Sequence, residues 1–415
     1  MATDMAGPRG LLRHHADFRR LWVAGGISQL GTQVSMLALP LTAAQTLHAS
    51  TMGVALLSAV QTAAFVVLGL PAGAWSDRMR RRPVLVAADL GRAAALATVP
   101  AAALLGVLHI WQLYAVALVS GVGTIFFDVN QQAFVPRLVG REHLVEANGR
   151  LETNRSVAAT AGPSLAGLLV QALTAPVALA ADTLSFLWSA GWIAAIRAEE
   201  QPPTGVAGEP LHVRIGAGLR FVLGDPLLRA IVSCGATAML CFGAQAAIEV
   251  LFLLRVVGLP PGGIGLLFSA GSVGTILGAL CAAPLTRRIG RGTALVSYVV
   301  VAGIGGLLIP LTAPGWRVAL FAVGTAVGGF CLVAYNVVQV SMRQARCPDH
   351  LLGRMSATMR TIMLGVTPLG AILGGALGTW LGLRATLWCC AVGVLLSSLW
   401  LLGSPLRDPD DIPAR

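Results

Sequence analysis

Four ionisable residues of this sequence stand inside long apolar runs, where a charged side chain is costly and needs a partner or a function. Asp89 and Arg92 are three positions apart on one helical face, so we expect them to pair with each other or with a neighbouring loop. Asp182 and Glu249 have no basic residue nearby on their own helices, apart from Arg255 beyond Glu249. Either carboxyl group could carry a proton. The alternative is an acid satisfied by backbone or water at the outer rim.

Two of the apolar runs, the first and the seventh, also carry polar side chains on one helical face. Gln29 and Gln33 lie four positions apart on one face of the first run, and Cys241, Gln245 and Glu249 follow the same spacing on the seventh. Amide and carboxyl oxygens accept hydrogen bonds, and a carboxylate also attracts a cation. We therefore expect these faces to suit an amphiphilic or cationic solute.

Sequence motifs of enzymes are absent from the chain. Neither H-E-x-x-H nor G-x-S-x-G occurs, and the lack of any Lys excludes the phosphate-binding G-x-x-x-x-G-K loop. The 7 cysteines contain no C-x-x-C pair, so we interpret them as small packing residues. The sequence thus predicts that the protein is not an enzyme and that it uses no cofactor and no metal.

The composition identifies the environment of these residues. Of 415 residues, 56% are hydrophobic and only 11% are charged, whereas about 25% of the residues in soluble domains are charged. Apolar runs of about 20 residues recur, and each is long enough to cross a bilayer as a helix. A membrane β-barrel would instead show segments of about 10 residues with alternating polarity. We predict about 12 spans, centred near positions 30, 62, 95, 122, 160, 185, 240, 273, 303, 324, 370 and 393.

The basic residues indicate how the spans are oriented. All 29 are Arg, a bias that favours a bacterial source, and 25 of them fall on cytoplasmic segments if both termini lie in the cytoplasm. Because positive loops stay inside, we predict a multi-pass protein of the inner (plasma) membrane with cytoplasmic termini. The net charge of +11 is scattered between apolar spans, which argues against nucleic acid as a partner.

An internal repeat divides the chain into two parts. The pair Arg155 and Pro163 recurs 205 positions later, and the basic loop at 78–82 recurs as 287–291. Such a repeat implies two parallel six-helix halves around a central cavity. The predicted N-terminal half, cytoplasmic central loop, C-terminal half and cytoplasmic tail are residues 1–197, 198–229, 230–403 and 404–415.

The connection after the second span carries the sharpest motif, which reads GAWSDRMRRRP. It resembles the signature loop of the major facilitator superfamily, with Gly73, Asp77 and Arg81 at the family's positions and Arg78 beside Asp77. The resemblance implies that Arg81 joins a charge cluster between helices, completed by Asp128, which breaks when the two halves rock. The alternative is a basic loop that only determines orientation and binds anionic membrane lipid.

The fifth span contains a second motif. Gly149, Gly162, Pro163 and Gly167 resemble a pattern found in the efflux antiporters of this superfamily. Small residues let helices approach closely, and Pro163 kinks the helix. The resemblance implies a gate or a leak-proof seam, and ordinary tight packing is the alternative.

Segments 127–139 and 218–229 resemble the export branch of the superfamily, which includes siderophore exporters and macrolide efflux proteins. The likeness covers nearly the whole chain. It implies an all-helical, monomeric transporter that exports a small molecule, such as a siderophore, an antibiotic or another amphiphilic metabolite, by alternating access driven by protons. The alternatives are an importer of a small solute and a non-transporting receptor or chaperone of the same fold. Because the seventh span lines the cavity in this fold, Glu249 is the preferred proton site, with Asp182 second.

Overall fold

Helices account for all regular secondary structure in the residues that the computed structural model describes, which are 11–76, 79–140, 142–198, 200, 219–347 and 352–404. The first half of the chain contains α1 (Ala16–Leu41), α2 (Thr51–Ser76), α3 (Arg81–Leu104), α4 (Ile110–Val139), α5 (Leu144–Leu173) and α6 (Ala175–Ala194). The second half contains α7 (Pro226–Leu251), α8 (Pro261–Ile289), α9 (Arg291–Gly306), α10 (Val318–Arg346), α11 (Leu352–Gly365), α12 (Thr367–Trp380) and α13 (Leu383–Leu402).

Most of these helices are long enough to span a membrane. Within the described residues, 11 helical segments are both long and apolar enough to cross a bilayer. The 26 residues of α1 extend over about 39 Å, which also exceeds the roughly 30 Å of a hydrocarbon layer. The side chains of Ser28, Gln29, Thr32 and Gln33 place polar groups in the middle of α1. The prediction of an all-helical integral membrane protein with about 12 spans is confirmed.

The backbone of the two halves is irregular at matching places. α1 continues into a π-helical turn at Thr42–Thr46, and α7 continues into one at Phe252–Val256. A left-handed residue follows each turn and another precedes each of α6 and α13. These residues are His48 (φ 50°), Gly258 (φ 77°), Thr174 (φ 86°) and Gly382 (φ 87°). The repeat found in the sequence therefore extends to the local geometry of the chain.

Helix packing follows the same scheme in both halves. α1 packs on α5 and α6, and α3 packs on α4 and α6. In the second half α7 packs on α12 and α13, and α9 packs on α10 and α13. Each half thus contains two groups of three packed helices, and the two groups share one helix, α6 or α13.

The contacts divide the chain into two compact units, with α2 and α8 each contributing to both. The described residues of the first unit fall within Met1–His48, Ala64–Val206 and Pro261–Gly265. Those of the second unit fall within Ala49–Ala63, Ala207–Pro260 and Leu266–Arg415. The first turn of α8 therefore packs with the first unit, while the first part of α2 packs with the second.

Candidate functional site

Asp182 lies on α6 in the first unit, enclosed by protein on all sides, with 1% of its surface exposed. Ser185 Oγ donates a 2.9 Å hydrogen bond to Asp182 Oδ1, and Ser35 Oγ on α1 donates to Asp182 Oδ2. α1 comes this close because Gly31 faces the same point, where a Cβ atom would collide with Asp182 and Ser185. The carboxyl group is thus held by two hydroxyl groups, and no ion pair to it occurs among the described residues.

Asp89 and Arg92 form a buried ion pair on α3. The Arg92 guanidinium lies 4.1 Å from the ring centroid of Phe186 on α6 and 4.8 Å from that of Phe127 on α4. Gly123 on α4 makes room for the arginine stem, because a Cβ atom there would lie 2.6 Å from Arg92 Cγ. A paired charge that stacks on two aromatic rings joins α3, α4 and α6.

Two glycines of the fifth-span motif lie at close helix contacts in the first unit. Gly162 receives the stem of Gln33 from α1, since a Cβ atom at Gly162 would lie 2.6 Å from Gln33 Cβ. Gly167 faces the first turn of α8, where a Cβ atom would lie 3.1 Å from the Cα atoms of Gly262 and Gly265. The contact between α5 and α8 is therefore one of backbone against backbone.

Other residues of the fifth-span motif and its neighbours have different environments. Gln171 Oε1 accepts a 3.1 Å hydrogen bond from the Gly262 N–H, a contact that the sequence analysis missed. The Pro163 carbonyl oxygen faces Gly265. Gly149 has no neighbouring atom within 4 Å of a Cβ position, and Gln29 is half-buried on α1. The motif thus combines two contact glycines with one that is open.

The signature loop is described only in part, because Asp77 and Arg78 lie outside the described residues. Gly73 lies in the last turns of α2, and Arg81 begins α3. Arg81 Nη1 donates a 2.9 Å hydrogen bond to the Ala133 carbonyl oxygen on α4. Asp128 is half-buried on the same helix. Arg81 therefore links the start of α3 to the C-terminal part of α4.

Glu200 is a functional candidate that the sequence analysis did not identify. Its carboxylate oxygens accept hydrogen bonds from the backbone N–H groups of Arg81 (2.6 Å) and Arg82 (2.5 Å). These N–H groups open α3 and have no partner within the helix, so a negative charge there is favourable. The only available signal was an acidic pair directly after the sixth span, which does not reveal a partner 119 positions away.

Glu249 lies on α7 in the second unit, with 8% of its surface exposed. Gln245 stands one turn earlier on α7, and its amide interacts with the Glu249 carboxyl group. Ion pairs to Glu249 are absent from the described part of the chain. Two neighbouring helices press close to α7, since Gly374 on α12 meets the backbone of Ala244 and Gly393 on α13 meets Cys241. Glu249 is thus an enclosed acid whose identified partner is a neutral amide.

The described residues contain no group of three or more His, Cys, Asp or Glu side chains that could hold an ion. Each of the two units contains an isolated carboxyl group, amides and close glycine contacts. Such groups can bind and release protons or hydrogen-bond a solute.

Solved structures with the same architecture identify the fold. The chain superposes on the nucleoside transporter NupG with a TM-score of 0.78 at 11% identity, covering 93% of this chain and 98% of NupG. A bacterial homologue of the iron transporter ferroportin, in inward-facing state, gives a TM-score of 0.76 at 17% identity, with coverages of 95% and 98%. The protein is therefore a multi-pass membrane protein with the major facilitator fold.

The sequence comparison defines the family within that fold. The profile of the transmembrane secretion effectors matches residues 8–414, and the chain belongs to this family. Multidrug efflux pump Tap of Mycolicibacterium fortuitum is 28% identical over 374 residues, which cover 88% of this chain and 90% of Tap. Enterobactin exporter EntS of Escherichia coli O1:K1 is 26% identical over 399 residues, with coverages of 94% and 92%.

A third relative extends the range of efflux proteins. Macrolide efflux protein A of Streptococcus pyogenes is 23% identical over 333 residues, covering 80% of this chain and 82% of the relative. These matches confirm the predicted superfamily and its export branch. The protein is thus an efflux-type transporter for small molecules and not an enzyme.

Proposed function

We propose that the protein exports an amphiphilic or cationic small molecule across the bacterial inner membrane, with protons moving inward to drive export. The observation that carries this proposal is the pair of enclosed carboxyl groups, Asp182 and Glu249, neither of which forms an ion pair among the described residues. An acid held in a permanent ion pair stays ionised, whereas these two carboxyl groups can bind and release a proton during transport of the solute. The names of the relatives support the direction of transport.

Glu249 is the proposed coupling site. Its partner is an amide that remains neutral, so protonation would not leave a cation unpaired. In the second unit, Gln245 continues the same face of α7 and is proposed to hydrogen-bond the solute. In the first unit, Gln29 and Gln33 on α1 are proposed as further solute contacts. Asp182 is the second proton site, and the Asp89–Arg92 pair serves to position α3, α4 and α6.

Alternating access would come from rocking of the halves 1–197 and 230–403, joined by the central loop 198–229. We assign the cytoplasmic latch to the signature loop, where Asp77, Arg81 and Asp128 would separate and re-form in each cycle. Asp77→Asn should therefore slow transport severalfold at unchanged membrane expression. Transport within twofold of wild type would contradict the latch.

Glycines of the fifth span would form the seam that prevents leakage. Gly167 brings the backbone of α5 against α8, and Gly162 encloses the stem of Gln33. Contacts of this kind leave no space for water. A larger side chain at Gly167 should allow protons to cross without solute, which a pH-sensitive dye inside vesicles would detect.

The solute class follows from the residues and from the relatives together. Amides and a carboxyl group favour a molecule with cationic or hydrogen-bonding groups on an apolar frame. The names of the relatives refer to multiple drugs, macrolides and enterobactin. A macrolide, a lipophilic cationic dye and a catecholate siderophore are therefore the three probes to test first.

The working protein is proposed to be a monomer with both termini in the cytoplasm. Cysteine-accessibility labelling from outside intact cells should leave position 80 unlabelled once the native cysteines are replaced. Labelling there would reverse the topology and with it the assignment of the cytoplasmic latch.

Export is tested with inside-out vesicles that contain the protein. Addition of ATP to acidify the vesicle interior should drive accumulation of at least one probe, and an uncoupler should abolish it. Accumulation only in right-side-out vesicles would indicate an importer. Specific binding without accumulation in either orientation would indicate a receptor or chaperone and would contradict the proposal.

A further inference from the structure

A groove with one charged end opens at the cytoplasmic end of the first unit, between the start of α3 and the residues that follow α6. Its volume is roughly 730 Å³. Among the described residues, Arg80, Arg82 and Arg197 line it together with one acid, Glu200. These described side chains, three cations against one carboxylate, give this end of the groove a positive charge.

The one acid of the groove is already engaged. Both carboxylate oxygens of Glu200 accept backbone N–H groups at the start of α3. Arg80 and Arg197 are exposed, and no described carboxylate lies within ion-pair distance of the three arginine side chains. Arg82 is the most constrained of them, since it also donates to the Ala194 carbonyl oxygen. The Asp17 carboxylate accepts the backbone N–H of Arg197 at 3.2 Å and pairs with Arg20, so it is engaged as well. The three arginine side chains of the groove therefore have no ion-pair partner among the described residues.

The remaining wall of the groove is apolar. Val86 and Ala87 stand three and four residues after Pro83 and four and three residues before Leu90, so all four lie along one face of α3. They form a strip about 10 Å long that runs away from the arginines. Leu90, at the far end, is 47% exposed. A soluble anion would contact only the arginines. The apolar strip that continues from them along a membrane-spanning helix suits an anion that carries an apolar chain.

We propose that this groove binds an anionic phospholipid of the cytoplasmic leaflet. The phosphate lies at Arg80 and Arg197, with Arg82 beside them, and one acyl chain follows α3 past Val86 to Leu90. Basic residues at a membrane surface attract anionic lipid by about 1 kcal/mol each. The lipid occupies the junction of α3, the end of α6 and Glu200, so it stabilises the cytoplasmic end of the first half.

The test compares purified variants by native mass spectrometry after titration with phosphatidylglycerol or phosphatidylcholine. Arg80→Gln/Arg197→Gln should weaken binding of phosphatidylglycerol by about 30-fold and leave phosphatidylcholine unchanged. Arg287→Gln/Arg288→Gln is the matched control, because it removes two exposed arginines from the cytoplasmic end of α8. Thermal unfolding in detergent verifies that both double variants are folded.

A second arm separates a lipid from a free phosphate. Leu90→Gln should weaken phosphatidylglycerol binding severalfold, and an excess of inorganic phosphate should not displace the lipid. Equal lipid binding by the groove variant and the control variant would overturn the proposal. Displacement by inorganic phosphate, with Leu90→Gln unaffected, would make the groove a soluble-anion site and would overturn it as well.

Discussion

The two halves share one backbone plan but differ in the polar groups that they bury. Counted from the left-handed residues before α6 and α13, Asp182 corresponds to Cys390. Counted from the π-helical turns that follow α1 and α7, Ser35 corresponds to Gln245. The first half thus places an acid and a hydroxyl where the second places a thiol and an amide. The fold tolerates either pair, so it does not by itself require the carboxyl group.

A helix crossing at equivalent positions of the two halves makes the same point about size. In the first half the glycine is Gly31 on α1, and it faces Ser185 on α6. In the second half the positions are reversed, because Cys241 on α7 faces Gly393 on α13. One of the two helices must supply a glycine, and either helix can do so. Packing therefore determines residue size at the crossing and leaves its chemistry free.

Glu249 is the clearest departure from the repeat. Its counterpart on α1 is Leu39, which is 2% exposed, whereas Glu249 is 8% exposed. The same buried position thus accepts a leucine in one half and an acid in the other. An acid that packing does not require is a candidate for function.

The largest effect is expected at the buried ion pair of the first half, Asp89 with Arg92. Arg92→Leu should lower the free energy of unfolding by about 3–5 kcal/mol, because it leaves Asp89 buried without a cation. The double variant Asp89→Leu/Arg92→Leu should recover most of that loss. Unfolding in detergent measures both, with Arg155→Leu as the exposed control, which should change the free energy by less than about 0.5 kcal/mol. A double variant no more stable than Arg92→Leu would contradict this interpretation.

The reversed crossings predict a smaller effect. Gly393→Ser should destabilise the protein by about 1–3 kcal/mol through overpacking against Cys241. Adding Cys241→Gly recreates the arrangement of the first half in the second. A double-mutant cycle should then give a favourable coupling of about 1 kcal/mol. Additive effects of the two substitutions would show that the crossings are not equivalent.

The smallest effect concerns the starts of α3 and α9. Glu200 caps α3, whereas Gly290 precedes α9 and provides no side-chain cap. Glu200→Gln should lower the free energy of unfolding by about 1 kcal/mol. Glu152→Gln, at an exposed acid, serves as the control. Equal stability of the two variants would show that α3 needs its cap no more than α9 does.

Local spacing accounts for what the sequence could predict. Apolar runs indicated the spans, and the three-residue separation of Asp89 and Arg92 indicated that they share a helical face. Contacts between helices were not accessible in this way. The bond from Ser35 to Asp182 joins residues 147 positions apart, and no periodicity within α1 or α6 specifies which of their faces meet.

The contacts of small residues were likewise predictable only in part. The sequence marked Gly162 and Gly167 as possible contacts, but their partners Gln33 and Gly262 depend on how α5 packs against α1 and α8. Glu200 was missed because it stands in a connection, where a capping role depends on the folded path of the chain. The elements and their repeat were predictable, whereas the pairing of side chains across helices was not.

The central claim is that Glu249 couples proton movement to export. Glu249→Gln keeps the shape of the side chain and removes its proton, so it is the most direct test. Asp182→Asn is the matched variant in the first half, and Glu152→Gln is the exposed control. All three are compared with wild type in inside-out vesicles, first with a pH gradient and then in energy-independent exchange of labelled solute.

Gradient-driven accumulation should vanish in Glu249→Gln while exchange of solute continues near the wild-type rate. Loss of exchange as well would mean that Glu249 binds the solute and is not the proton site. Persistence of pH-dependent uphill transport in Glu249→Gln would contradict the claim outright, and its loss in Asp182→Asn alone would move the coupling site to the first half.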